Sequence, residues 1–519
     1  MPHATDHPTT TGQQEATSRS DSELRRLANG VVWPGFTGVE APEWLERELA
    51  GGLAGVVYFG QNVEDAAQVR ALSDRIHRLR PDALIGVDEE GGTVTRLEVR
   101  EGSSTPGNAV LGRLDDVELT ERAAAWTGAL VAAAGIDIDL APSVDVNVDP
   151  RNPVIGVRSF GADASLVARQ AEAAVRGLQS AGIAACAKHF PGHGDTSTDS
   201  HLALAVTNAG PDALTDVHLP PFAAAIEAGV AMVMSAHIRV PHLGDAPATL
   251  NPRALSLLRD LGFEGVIVSD ALDMAAIRAG YGLGPGAVAA LQAGIDLLCV
   301  GNPAENGSSA EGRTDENEFL EVRDALVAAM RSGELAVAVV EDAAERVAAL
   351  AASLRSARGR SVAGDFPATD WTGVAGEGLE VVGHVRLASG PVTLVDARTK
   401  RNLAAGSQPD HFTRALSERR EVDRIWLSST DPSAAAAEAV AALAEAAAPV
   451  LVVNQPQSSV LEAEVLRAVL ERRPDTVVIV AGWPLPAGER AGEPANVVYP
   501  YGSARVNAEA VARVLCGEA

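Results

Sequence analysis

The sequence predicts an α/β protein: a (β/α)8 TIM-type barrel followed by a smaller α/β sandwich domain. Three observations carry that expectation. Eight short, β-rich apolar runs recur between longer alanine-rich segments of helical period; nearly every run is followed at once by polar residues; and a second, shorter alternating series begins beyond a Gly/Ser/Asp-containing break. At 519 residues the chain exceeds what one hydrophobic core organises, so two domains are the natural division.

Residues 1–23 are polar, rich in Thr, Ser, Gln and Asp, and lack the basic start and apolar core of a secretory signal; they read as a disordered tail. The barrel is expected over 24–357. Its strands are read in the runs 30–33, 55–59, 84–87, 136–140, 183–186, 232–235, 266–269 and 297–300. Spread over about 300 residues, they match the size of a (β/α)8 barrel. The run Gly282-Leu283-Gly284-Pro285-Gly286 lacks the lysine of a phosphate loop and follows no strand, so it reads as a flexible loop. After a helical stretch at 335–354, residues 358–380 read as a linker. The sandwich is expected over 381–519, with strands at 392–395, 425–427, 450–453 and 477–480 and helices at 434–447 and 460–472.

Composition excludes several classes of function. A net charge of −27 repels phosphodiester backbones and anionic lipid, so no nucleic-acid or membrane partner is expected. No segment approaches the roughly 20 apolar residues of a membrane span. Cys186, Cys299 and Cys516 are widely spaced and odd in number, which gives no disulfide framework or zinc ribbon; a cytoplasmic setting is the simplest context.

The densest chemistry lies at the end of the fifth run. Lys188 to His201 packs three histidines, one lysine and two aspartates into fourteen residues. His189 and His193 with His201, Asp195 and Asp199 offer metal-type ligands, but Pro191 and Gly192 break the helix that would align histidines four apart, and no metal is assigned. Asp199 and His201, two apart, project to the same side of an extended segment, where the carboxylate can polarise the imidazole as a general acid/base. A surface loop whose aspartates bond their own backbone is the other reading of the same residues. Asp88-Glu89-Glu90-Gly91-Gly92 follows the third run, Ala236-His237 the sixth and Asp270 the seventh. A barrel gathers such strand ends at one face, although each acid could instead cap the next helix.

These motifs together resemble the β-N-acetylglucosaminidase branch of glycoside hydrolase family 3. The resemblance is carried by Lys-His-Phe-Pro-Gly-His-Gly-Asp-Thr from Lys188 with Asp199-Ser200-His201, by Asp88 to Gly92 with Arg96, by Val154 to Phe160, and by Ser269 to Met274. It implies that Asp270 is the nucleophile, His201 the acid/base and Asp199 its orienting partner. It also implies that Asp88, Arg96, Arg158, Lys188 and His189 line the sugar subsite. Ala271 departs from the acidic residue that many relatives carry after the nucleophile. The chemistry implied is retaining hydrolysis of terminal β-linked N-acetylglucosamine, a small carbohydrate substrate, with no cofactor. A protonated imidazole becomes neutral on donating, so it adds no negative charge beside a glycosyl-enzyme. Use of phosphate in place of water, a Schiff-base aldolase on Lys188, and a non-catalytic sugar-binding protein are the competing readings.

Overall fold

The structure, a computed structural model, describes residues 19–196, 204–301, 313–358, 369–398, 410–486 and 494–518. Its first helix, Asp21–Asn29, begins inside the segment read as a tail. The reason is a reciprocal cap: the Glu23 N–H donates to Ser20 Oγ at 3.3 Å, and the Ser20 N–H donates to the Glu23 carboxylate at 2.7 Å.

The first domain is a (β/α) barrel. Its strands are β1 (Val32–Pro34), β2 (Gly55–Tyr58), β3 (Leu84–Val87), β4 (Ile138–Asp139), β5 (Ala184–Phe190), β6 (Met232–Ser235), β7 (Val266–Ser269) and β8 (Leu298–Gly301). Parallel ladders join β2 to β7 in chain order, β8 pairs with β1, and the bridge Val268–Leu297 ties β7 to the approach of β8. Among the described residues no ladder joins β1 to β2. All eight strands are buried along their whole length, because side chains fill the interior while helices cover the outside. That two-sided burial is why most of them read as apolar runs.

The interior is filled by Trp33, Leu84, Ile138, Cys186, Met232, Met234, Val266 and Leu297. Trp33 donates its indole N–H to the Leu84 carbonyl at 2.8 Å, and its ring lies so close to Gly86 that a Cβ there would sit 2.3 Å from it. Val347, Ala351 and Leu354 of the helix Val337–Ala357 close the amino-terminal end of the barrel, where Arg358 bonds the carbonyls of Pro81 and Ala83.

Helix starts are capped by Asp65, Asp116, Asp163 and Thr314, each accepting the N–H three residues on. The helices that follow β3 and β7 begin instead at Gly107 and Met274, without a side-chain cap. Asp88 and Asp270 are therefore not helix caps. Gly282 to Gly286, expected as a loop, instead joins two helices, Ala275–Tyr281 and Leu283–Ala293. Gly282 turns the chain at φ +79°, and Gly286 packs where a Cβ would lie 2.8 Å from Ile277.

The second domain is a six-stranded sheet: β9 (Glu380–Val382), β10 (Val392–Asp396), β11 (Val422–Trp426), β12 (Ala448–Val453), β13 (Val477–Val480) and β14 (Val497–Tyr499). The order is β9-β14-β13-β12-β10-β11, with only β9 antiparallel. Pro432–Leu443 and Val460–Arg472 cover one face, His411–Ser417 and Arg505–Cys516 the other. Residues 369–380, read as part of a linker, instead hold the helix Trp371–Glu377 and the start of β9. Asp370 caps the helix Trp371–Glu377, and Trp371 is buried in a cluster with Leu111, Phe160 and Ala504.

Candidate active site

The carboxyl ends of the barrel strands carry a connected set of charges. Asp88, directly after β3, accepts from Lys188 Nζ at 2.6 Å and lies 3.8 Å from the Arg96 guanidinium. Lys188, in β5, also reaches Glu90 at 2.7 Å. Arg158 bonds both oxygens of Glu90, at 2.9 and 2.7 Å, in the planar fork that guanidinium and carboxylate share. Its Nη2 lies 3.3 Å from His189 Nε2, while His189 Nδ1 is 2.7 Å from Asp145 Oδ2. Five residues singled out in the sequence, Asp88, Arg96, Arg158, Lys188 and His189, thus form one network through Glu90.

Electrostatics explain how so many charges stay buried together. Burial alone would raise the Glu90 carboxyl, but Arg158 and Lys188 outweigh it and hold the group well below the usual carboxylate range. Burial would likewise lower Lys188; Asp88 and Glu90 instead keep it a firm ammonium. A lysine clamped between two carboxylates is no nucleophile, which removes the basis of the aldolase reading. Asp145 is also held low: His189 overcomes the cost of burial. His193 behaves differently, since burial and the nearby His189 push it down to about 4. It is a neutral imidazole at ordinary pH, with Nδ1 2.9 Å from Thr196 Oγ1.

Asp270 stands across the same mouth. Its N–H donates to the Ser235 carbonyl at 3.2 Å, continuing the β6–β7 pairing one residue beyond the strands, and its Oδ1 accepts the Ala271 N–H at 2.8 Å. His237, at the end of β6, donates from Nε2 to the Ala271 carbonyl at 3.0 Å and so fixes that turn. Asp270 is a half-buried residue. Below it, burial pushes the Cys186 thiol up against the pull of Lys188, and Asp88, Asp139 and Asp270 all add to the rise. Asp199 and His201 lie outside the described residues.

Asp145 was not singled out in the sequence, and Glu90 and His237 were read there as strand-end residues without an individual role. Glu90 carried a signal, since it sits in the Asp-Glu-Glu-Gly-Gly run beside Asp88. Asp145 carried little, because it lies beyond β4 where polar residues simply alternate with valines, from Ser143 to Asp149.

Beneath the network lies a second pair of acids. Glu89 is 1% exposed, and its Oε2 accepts the N–H groups of Arg96 and Leu97. Its own N–H donates to Asp139 Oδ1 at 3.0 Å, while Asp139 Oδ2 is buried without a hydrogen-bond partner among the described residues. Burial raises Glu89 from 4.5 to about 7, and burial together with Glu89 raises Asp139 well above its usual range. The folded state therefore binds protons that the unfolded chain has released, and stability falls as pH rises from about 4.5 through about 7. Glu89→Gln should remove the part of this slope that Glu89 contributes, leaving that of Asp139. Between pH 4.5 and pH 8 the variant should gain on the order of 3 kcal/mol relative to wild type, as read by urea unfolding at both pH values. A difference that does not change with pH would show that Glu89 does not titrate in this range.

Known proteins share this architecture. The family description "Glycosyl hydrolase family 3 N terminal domain" matches residues 37–350. A β-hexosaminidase of Stenotrophomonas maltophilia strain K279a is 39% identical over 287 residues, 53% of this chain and 83% of that protein. β-Hexosaminidase A of Pseudoalteromonas piscicida is 33% identical over 310 residues, 55% of this chain but only 51% of that longer protein. Among solved structures, a family 3 β-N-acetylglucosaminidase from Paenibacillus sp. str. FPU-7 superposes with a TM-score of 0.83 at 32% identity, covering 95% of this chain and 97% of that one. That likeness takes in both domains. The chain belongs to glycosyl hydrolase family 3, in its β-hexosaminidase branch.

Proposed function

We propose that the protein is a retaining exo-β-N-acetylglucosaminidase that releases terminal β-linked N-acetylglucosamine through a covalent glycosyl-enzyme. In this reading Asp270 attacks the anomeric carbon. His201 protonates the leaving oxygen and then deprotonates the incoming water, with Asp199 orienting its imidazole. Asp88, Arg96, Arg158, Lys188 and His189 bind the sugar.

The observation that carries the reading is the pairing of one half-buried aspartate, Asp270, with a buried network of opposite charges across the mouth. Such a network is rigid and already desolvated, so sugar hydroxyls meet charged donors and acceptors that need not reorganise. The relatives named for β-hexosaminidase and β-N-acetylglucosaminidase activity support the substrate class.

Product analysis tests it directly. On a panel of N-acetylglucosaminides, free N-acetylglucosamine should be the product, in phosphate and in a non-phosphate buffer at matched ionic strength alike. N-acetylglucosamine 1-phosphate as the dominant product would make the enzyme a phosphorylase. Absence of turnover on every substrate would leave only sugar binding.

A further inference from the structure

The second domain meets the barrel at the long loop after β4, which carries Arg158. Three side chains that follow β12 bond three successive carbonyls of that loop. Gln457 Nε2 donates to Pro150 at 3.2 Å, Ser458 Oγ to Arg151 at 2.9 Å, and Gln455 Nε2 to Asn152 at 3.0 Å. The three contacts differ in what lies behind them. Pro150 and Arg151 lead to the surface, but Asn152 is fully buried and serves as a hub. Its Nδ2 donates to the His193 carbonyl at 2.8 Å, and its Oδ1 accepts the N–H groups of Val154 and Ile155 at 2.9 and 2.8 Å. The carbonyls of those two residues in turn take Arg158: its Nη1 donates to Val154 at 3.2 Å and its N–H to Ile155 at 2.9 Å.

Gln455 is itself held in place. Glu462, 1% exposed, accepts the N–H groups of Asn454 and Gln455 at 2.7 and 2.9 Å. Two glycines make room for it: a Cβ on Gly482 would lie 2.8 Å from Gln455 Cγ, and one on Gly156 would lie 3.3 Å from Gln455 Nε2. The amide is thus aimed at the loop from a fixed mount and cannot swing freely.

We propose that Gln455 is a positioning residue for the substrate site, contributed by the second domain and acting through Asn152 on Arg158. It touches no substrate. It removes the freedom of the turn that aims the guanidinium at Glu90 and His189. As a statement about substrate binding, this rests on the N-acetylglucosaminidase reading above; as a statement about the loop, it does not.

The experiment compares Gln455→Ala with Gln457→Ala and Ser458→Ala, which sever neighbouring contacts of the same interface without touching the hub. On a nitrophenyl N-acetylglucosaminide, Gln455→Ala should raise KM about fivefold to tenfold, the scale of one lost hydrogen bond, whereas the other two should stay within about twofold. In an Arg158→Lys background the Gln455→Ala effect should shrink to less than about twofold, because the group it positions is already altered. Amide hydrogen exchange supplies a readout that needs no activity: Gln455→Ala should speed exchange at Val154 and Ile155, and Gln457→Ala and Ser458→Ala should not. Equal KM changes in all three variants, full additivity with Arg158→Lys, or equal exchange in all three would reduce Gln455 to a docking contact and overturn the proposal. A wild-type protein inactive on N-acetylglucosaminides would overturn the functional reading instead, and the exchange comparison would still decide the role of Gln455.

Discussion

Asp270→Ala should lower kcat on nitrophenyl N-acetylglucosaminide by about 10⁴-fold or more while changing KM little, because the alanine removes the atom that bonds to anomeric carbon and leaves the sugar-binding network whole. The structure gives reasons to expect a clean loss. The backbone of residue 270 is tied to Ser235, and His237 grips the next carbonyl, so the turn should keep its shape without the carboxylate. A small nucleophile such as azide, added in excess, should then fill the vacated space and return a glycosyl azide of inverted configuration. Measurement of kcat with and without azide, together with unfolding midpoints, separates lost chemistry from lost folding. Full activity in a folded Asp270→Ala protein would remove the residue from the mechanism.

His201→Ala should show an effect that depends on the leaving group. An alkoxide from a natural oligosaccharide is a poor leaving group and needs its proton, so glycosylation should slow about 10²- to 10⁴-fold, within the range of general acid catalysis. A dinitrophenolate leaves without help, and on that substrate the first step should be nearly unaffected. Asp199→Ala should follow the same trend more weakly, since it orients and polarises the imidazole but carries no transferred proton. His193 is not a substitute donor: burial keeps it neutral, with a value of about 4. Equal losses on activated and unactivated substrates would mean that His201 and Asp199 bind sugar and do not move protons.

Much of this molecule was legible in its sequence, for reasons that particular residues make plain. Most barrel strands were readable because burial on both faces makes them short apolar runs, as in Val266 to Val268, and because polar residues follow many of them at once. The strands Glu380–Val382 and Val497–Tyr499 were not. Glu380 to Val382 is partly exposed at the sheet edge, and both runs are three residues long, too short to show a period. Gly282 to Gly286 misled because glycine and proline usually mark turns, whereas here the glycines admit close packing between helices. At the site, Asp88, Lys188 and Arg158 announced themselves by standing in dense motifs. Asp145 and the glutamine mount at Gln455 act by position alone: one holds His189 from beneath and the other reaches over from a second domain some 300 residues later. No local pattern encodes such contacts, because they are set by how the chain returns on itself.

The most direct measurement is to trap the covalent intermediate. In a 5-fluoro-N-acetylglucosaminyl fluoride the ring fluorine slows both steps while the fluoride leaving group keeps glycosylation faster than hydrolysis of the adduct, so the adduct accumulates and can be found by mass spectrometry of a peptic digest. The label should sit on the peptide that contains Ser269-Asp270-Ala271, on the Asp270 carboxylate, and should be absent from Asp270→Ala. A label on any other side chain, or an unlabelled protein that still turns over the same fluoride, would contradict a retaining mechanism through Asp270.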